Sequence, residues 1–152
     1  MLYLFLLLLF PSTYLLYCVS RRRGVLKYFQ EHISSMEARL DQMPFLIFIE
    51  AKTKKSVQLV QNHNQPIVLD LPKEFLNNTE AKRAKEYFAC NGGEFSEYDL
   101  RDSPEGEVVG KGYSFQMCFN NAVDASIYTL GVYEYVYRLK VPKKFNTQTE
   151  VS

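Results

Sequence analysis

The 152 residues contain no tryptophan and only two histidines, His32 and His63. Neither histidine lies in a constellation of Ser, Cys or carboxylate residues. Nucleophilic or general-base chemistry would have to be assembled from scattered parts, and the chain is expected not to be an enzyme. Cysteine is scarce too. Cys18, Cys90 and Cys118 are odd in number, far apart and without a C-x-x-C pair, so neither a zinc site nor a disulfide framework is indicated. Free buried thiols in a reducing compartment are the expectation. No charge of one sign dominates: the net charge is +1, which gives no global field for nucleic acid or an acidic substrate. Gly106 to Gly112 (GEVVGKG) is no phosphate loop, having three residues between its first glycines and Gly after Lys111. The acidic stretch lacks the Asp-x-Asp-x-Asp-Gly run of an EF-hand. No metal or cofactor is expected.

Aromatic residues are abundant. Eleven Tyr and eleven Phe suit a sheet with a well-filled face. The segment from Phe45 to Leu71 opens with Phe45-Leu46-Ile47-Phe48-Ile49, as a strand covered on both faces would. After the polar turn Lys52-Thr53-Lys54-Lys55, Val57 and Leu59 alternate with Gln58 and Val60. A third run alternates Ile67, Leu69 and Leu71 with Val68 and Asp70, and Pro72 ends it. This predicts a three-stranded antiparallel meander.

Before the meander, Leu2 to Val19 are apolar except for Pro11-Ser12-Thr13. Eighteen residues at helical rise just span a bilayer core of roughly 30 Å. No basic residue precedes the run, whereas Arg21, Arg22, Arg23 and Lys27 follow it. The positive-inside rule then predicts a single-pass anchor over 1–23, with the N-terminus out and the domain in the cytoplasm. A cleaved signal peptide fits less well, because the charged leading region is missing. The rival is initiation at Met36 or Met43, which would make the protein soluble and cytoplasmic. Over 24–43, Leu26, Phe29, Ile33, Met36, Leu40 and Met43 recur at helical spacing. That stripe is expected to lie on the sheet, with a homodimer through 26–43 as its other use.

After the meander, Asn77-Asn78-Thr79-Glu80 resembles a capping box and Cys90-Asn91-Gly92-Gly93 a stop, which predicts one helix over 78–90. Glu94 to Gly112 reads as a long acidic loop carrying Glu94, Glu97, Asp99, Asp102, Glu105 and Glu107, a candidate surface for a basic partner. Tyr113, Phe115, Met117 and Phe119 alternate with Ser114, Gln116 and Cys118 as a half-buried strand. Asn121 with Asp124 then starts a helix to about Leu139, chosen over a strand on length and on Val123, Ile127, Leu130, Tyr133 and Tyr137. From Val141 the tail is polar and expected to be loose.

The fold expected is α+β: a mainly antiparallel sheet of four or five strands (45–71 and 113–119), helices on one face and an apolar N-terminal helix in front. Divided, the chain reads as an anchor (1–23), an amphipathic connecting helix (24–43), a globular domain (44–141) and a polar tail (142–152). Phe45, Ile47, Leu59, Leu69, Phe115, Phe119, Ile127 and Leu130 are its expected core.

The order helix, meander, helix, strand, closing Tyr-rich helix carries Pro44-Phe45-Leu46-Ile47-Phe48, Val57-Gln58 and Leu69-Asp70-Leu71-Pro72. In this, Met36 to Val141 resembles the small bacterial proteins of the type III secretion chaperone-like class, the YbjN-like or TY-Chap domains. The resemblance implies a non-enzymatic chaperone-like or protein-interaction module without catalytic residues. With the anchor, that module would sit at the cytoplasmic face of a bilayer with an unidentified protein partner and no nucleic acid. The alternatives are a membrane-associated regulatory or immunity-type protein binding a basic partner through the acidic loop, and, furthest from the residues, a small enzyme.

Overall fold

The structure, a computed structural model, describes residues 2–38, 45–103, 106–140 and 144–149, with side-chain surroundings from Leu16 onward. Helix α1 (Leu2–Glu37) leads into strands β1 (Phe45–Glu50), β2 (Ser56–Val60) and β3 (Ile67–Pro72). A short 3-10 turn (Lys73–Phe75) precedes α2 (Asn78–Cys90). Strands β4 (Glu94–Arg101) and β5 (Val108–Phe119) follow, then α3 (Ala122–Gly131), which continues as a π-helical turn over Val132–Val136. Strand β6 (Phe145–Gln148) closes the chain. The fold is α+β, as expected.

The sheet has six strands rather than four or five, in the order β4-β5-β3-β2-β1-β6, and every pairing is antiparallel. The meander is β1 to β3. Both additional strands lie where loops were expected. β4 forms within the acidic stretch, because Phe95 pairs with Phe115 and Lys111 lies opposite Asp99. β6 forms in the polar tail, because Phe145 lodges against Phe29 and Tyr133 at ring distances of 4.7 and 5.0 Å.

Residues alternate between the two faces of each strand. Leu46 and Phe48 of β1, Val57 and Leu59 of β2, and Ile67, Leu69 and Leu71 of β3 point into the core, with Phe115, Met117 and Phe119 of β5. The helices cover this face: Phe29 of α1 meets Phe48 at 4.4 Å, and Phe88 of α2 meets Phe115 at 5.7 Å. Leu59, Leu69, Phe115, Phe119 and Leu130 are core residues, but three others expected there are not. Phe45 and Ile47 lie on the opposite, half-covered face, since an unbroken apolar run carries no alternation to identify the inward side. Ile127 is 45% exposed, because α3 turns Ala125, Ser126, Thr129 and Leu130 inward instead.

The transmembrane anchor is not supported. No helix among the described residues is long and apolar enough to cross a membrane. The expected span and the expected connecting helix are one 36-residue helix, about 54 Å long at 1.5 Å per residue. Its described part carries Arg21, Arg22, Arg23, Lys27 and Glu31 on the surface while burying Phe29, Ile33 and Met36 in the domain's core. The basic residues flank no span: Arg22 instead bridges to Glu134 at 3.1 Å, and Lys27 to Glu31 at 3.7 Å. With the span falls the single-pass, N-out assignment. Met36 is itself a core residue, and a chain beginning there would lack Phe29 and Ile33; Leu40 and Met43 lie outside the described residues.

Local signals account for the remaining elements. Asn77 caps α2 by accepting from the Glu80 backbone N–H at 2.9 Å, and the Glu80 carboxylate accepts from the Asn77 N–H at 3.0 Å. Asn121 caps α3 through the Asp124 N–H at 2.8 Å. The last helix stops at Val136 rather than Leu139, after which Arg138 takes a left-handed conformation (φ 57°). Cys90 and Cys118 are exposed and Cys18 half-buried, so the expectation of buried thiols fails for this set.

Candidate functional site

The acidic stretch is a β-hairpin. β5 pairs with β3 only from Ser114 onward, so the outer halves of β4 and β5 run past the sheet as a two-stranded arm. Glu94, Glu97 and Asp99 sit on β4, Asp102 begins the turn and Glu107 precedes β5; Glu105 lies outside the described residues. Alternation puts Glu97 and Asp99 on one face, where both reach Lys111, at 3.1 and 2.8 Å. Hydrogen bonds from Lys111, and then from Tyr113, hold the Glu97 carboxyl below its ordinary range. Bonds to Asp99 and Glu97 in turn raise the Lys111 ammonium. The turn is tied by Arg101, whose guanidinium donates to the Gly106 carbonyl at 2.9 Å.

Large apolar side chains are uncovered on this arm. Val109 is 66% exposed, and Tyr98, Leu100 and Val108 are exposed as well; Phe95, at the base of the arm, is 51% exposed. Tyr98 lies directly on Gly112, where any Cβ would collide with its ring. A glycine is therefore required for that ring to lie flat on the neighbouring strand. Burial pushes the Tyr98 hydroxyl up, with the carboxylates of Glu74 and Asp70 adding to the effect.

The sheet face opposite the helices continues from the arm. Asp70 lies at its centre and accepts from Gln58 of β2 and from Ser114 and Gln116 of β5, the last at 3.0 Å. Three polar residues on the two strands flanking β3 thus satisfy one carboxylate. Next to them, Ile47, Ile49, Pro72 and Phe75 line a cavity of about 250 Å³. Sequence reasoning passed over this face. Its signal was present, since Gln58, Asp70 and Gln116 occupy the outward positions of alternating strands, but only pairing shows that the three are neighbours.

Two grooves flank α1. One, of about 440 Å³, lies among Arg22, Tyr87, Ile127, Tyr128, Glu134 and Tyr135. The other, of about 520 Å³, lies among Arg21, Gly24, Tyr28, Lys144 and Phe145. The histidines stand apart from both the arm and the open face. His32 donates from Nδ1 to the Tyr28 carbonyl at 2.8 Å, and His63 lies in the turn between β2 and β3. Among the described residues, no group of three or more His, Cys, Asp or Glu side chains could hold a metal ion.

Fold and surface together define a two-layer α+β protein, with helices on one face of an antiparallel sheet and a mixed polar and apolar surface on the other. Compared with protein-family models, characterised proteins and solved structures, the chain finds no match.

Proposed function

We propose that this protein is a non-enzymatic interaction module of chaperone-like type, binding a protein partner through the arm and the adjoining open face of the sheet. The observation that carries the reading is the arm: Leu100, Val108 and Val109 stand exposed on a two-stranded extension of an otherwise packed sheet, with Phe95 exposed at its base. Exposed apolar side chains gathered on one projecting hairpin point to an interaction surface. The resemblance of the sequence to the type III secretion chaperone-like class, which implies a chaperone-like or protein-interaction module, points the same way.

The test is suppression of aggregation, followed by light scattering of a reduced, aggregating reporter protein. The wild-type chain suppresses it, and a Leu100→Ser, Val109→Ser double variant with unchanged melting does not. Equal behaviour of the two chains, or no suppression by either, overturns the reading.

A second reading has the acidic residues of the arm recruiting a basic partner, favoured by Glu97 and Asp99 sharing a single lysine. In that case capture weakens steeply with salt.

A further inference from the structure

Among the described residues, β4 has a strand on one side only: β5 pairs its inner edge, and the sheet ends there. An edge strand presents a row of N–H and C=O groups with no ladder partner. Proteins blunt such edges with short strands, proline, charged side chains or bulges; of these β4 has charged side chains and a bulge at Leu100/Arg101, which discourage self-pairing, but neither shortness nor proline. β4 is eight residues long (EFSEYDLR), contains no proline, and is exposed at every position except Ser96. Two-stranded ribbons are marginal in water, so this arm gains from a third strand.

The charge of the arm indicates what that strand is. Residues 94–113 hold six acidic side chains against Arg101 and Lys111, a formal balance of −4. A second copy of the chain is a poor occupant. Two-fold antiparallel pairing centred on Glu97, Tyr98 or Asp99 sets Glu97 against Glu97, Glu97 against Asp99, or Asp99 against Asp99. Like charges directly opposite one another destabilise a ladder. A basic segment meets the reverse condition, because two carboxylates here share one ammonium. The other face of the same strand presents Tyr98 and Leu100, above Gly112 and Gly110. The two faces therefore ask for different residues at alternate positions.

We propose that the free edge of β4 binds an extended polypeptide by strand addition, its basic residues facing Glu97 and Asp99 and its apolar residues alternating beside Tyr98 and Leu100. This inference rests on the interaction-module reading and names the partner's chemistry and mode of docking.

The probe is an acetylated, amidated octapeptide of alternating lysine and valine, with alternating glutamate and valine as control. Both are titrated into the isotope-labelled full chain, and amide hydrogen exchange is read residue by residue. The lysine peptide is expected to bind saturably, to slow exchange on β4 and to lose affinity as salt rises. Glu97→Gln combined with Asp99→Asn is expected to weaken it by about tenfold or more. The salt titration needs no variant and covers the case in which the double substitution disturbs the arm. Equal binding of the glutamate peptide, protection confined to another surface, or dimerisation with β4 protected without peptide overturns the inference. So does absence of binding. In each case the aggregation assay still decides the interaction-module reading separately, because it depends on Leu100 and Val109 and not on the acidic pair.

Discussion

The Tyr133 hydroxyl donates to the Phe48 carbonyl oxygen at 2.6 Å, joining the π-helical turn after α3 to strand β1 across 85 residues. Both side chains are fully buried, and Phe29 packs against both rings. Burial pushes the Tyr133 hydroxyl well up, which favours its protonated, donating form. Tyr133→Phe keeps the ring and removes the bond. The expected loss is about 1–2 kcal/mol, read as a lower urea midpoint with an unchanged slope.

Phe29 makes α1 part of the domain. Its ring contacts Phe48 at 4.4 Å and Phe145 at 4.7 Å, and none of its surface is exposed. Phe29→Ala should cost about 3–5 kcal/mol, as removal of a buried aromatic ring does. Denaturant unfolding of the purified variant measures this. A cost near zero would mean that α1 only lies beside the domain.

Leu69 stands between Leu59 on β2 and Met117 on β5, at the middle of the core face. Leu69→Ala is expected to cost about 2–5 kcal/mol. Ile127→Ala, at an exposed position of α3, should stay within about 0.5 kcal/mol. The pair of melting curves checks which face of each element is inward, and reversal of the two costs would refute the register.

Glu50 is an acid on the core side of β1, held by the turn that follows it. Its carboxylate accepts from the Lys52 N–H at 3.1 Å, the Thr53 N–H at 2.6 Å and the Thr53 hydroxyl at 2.8 Å. Burial pushes its carboxyl up, but the bonds from Thr53 and Lys52 together outweigh it and leave it below the ordinary value of 4.5. A lowered carboxyl binds its proton more weakly folded than unfolded. Its contribution is therefore complete above 4.5 and is lost as pH falls through the folded value. Unfolding free energies of wild type and Glu50→Gln, measured from about pH 7 to about pH 3, should converge on the acid side. A constant gap would rule out Glu50 as a source of acid sensitivity.

Helix α2 was legible in full, Asn78 to Cys90, because its capping box is made by residues three apart. The same holds for the start of α3 at Asn121 and for β2, β3 and the inner half of β5, where alternation marks the buried side without reference to other elements. The sequence by itself determined these elements and the α+β class. Tertiary structure alone decided the rest. In Phe45-Leu46-Ile47-Phe48-Ile49 every residue is apolar, and the inward pair Leu46 and Phe48 is chosen by the helix and strands that pack there. β4 and β6 are polar enough to read as loops, and become strands because Phe115 and Phe48 lie in the neighbouring strands that receive Phe95 and Phe145. The N-terminal run reads as a membrane span from its leucines alone, yet its helix continues without interruption into a segment bearing charge on one side and core residues on the other. Composition records how apolar a segment is; which of its residues are buried, as Phe29, Ile33 and Met36 are, depends on residues far away in the chain.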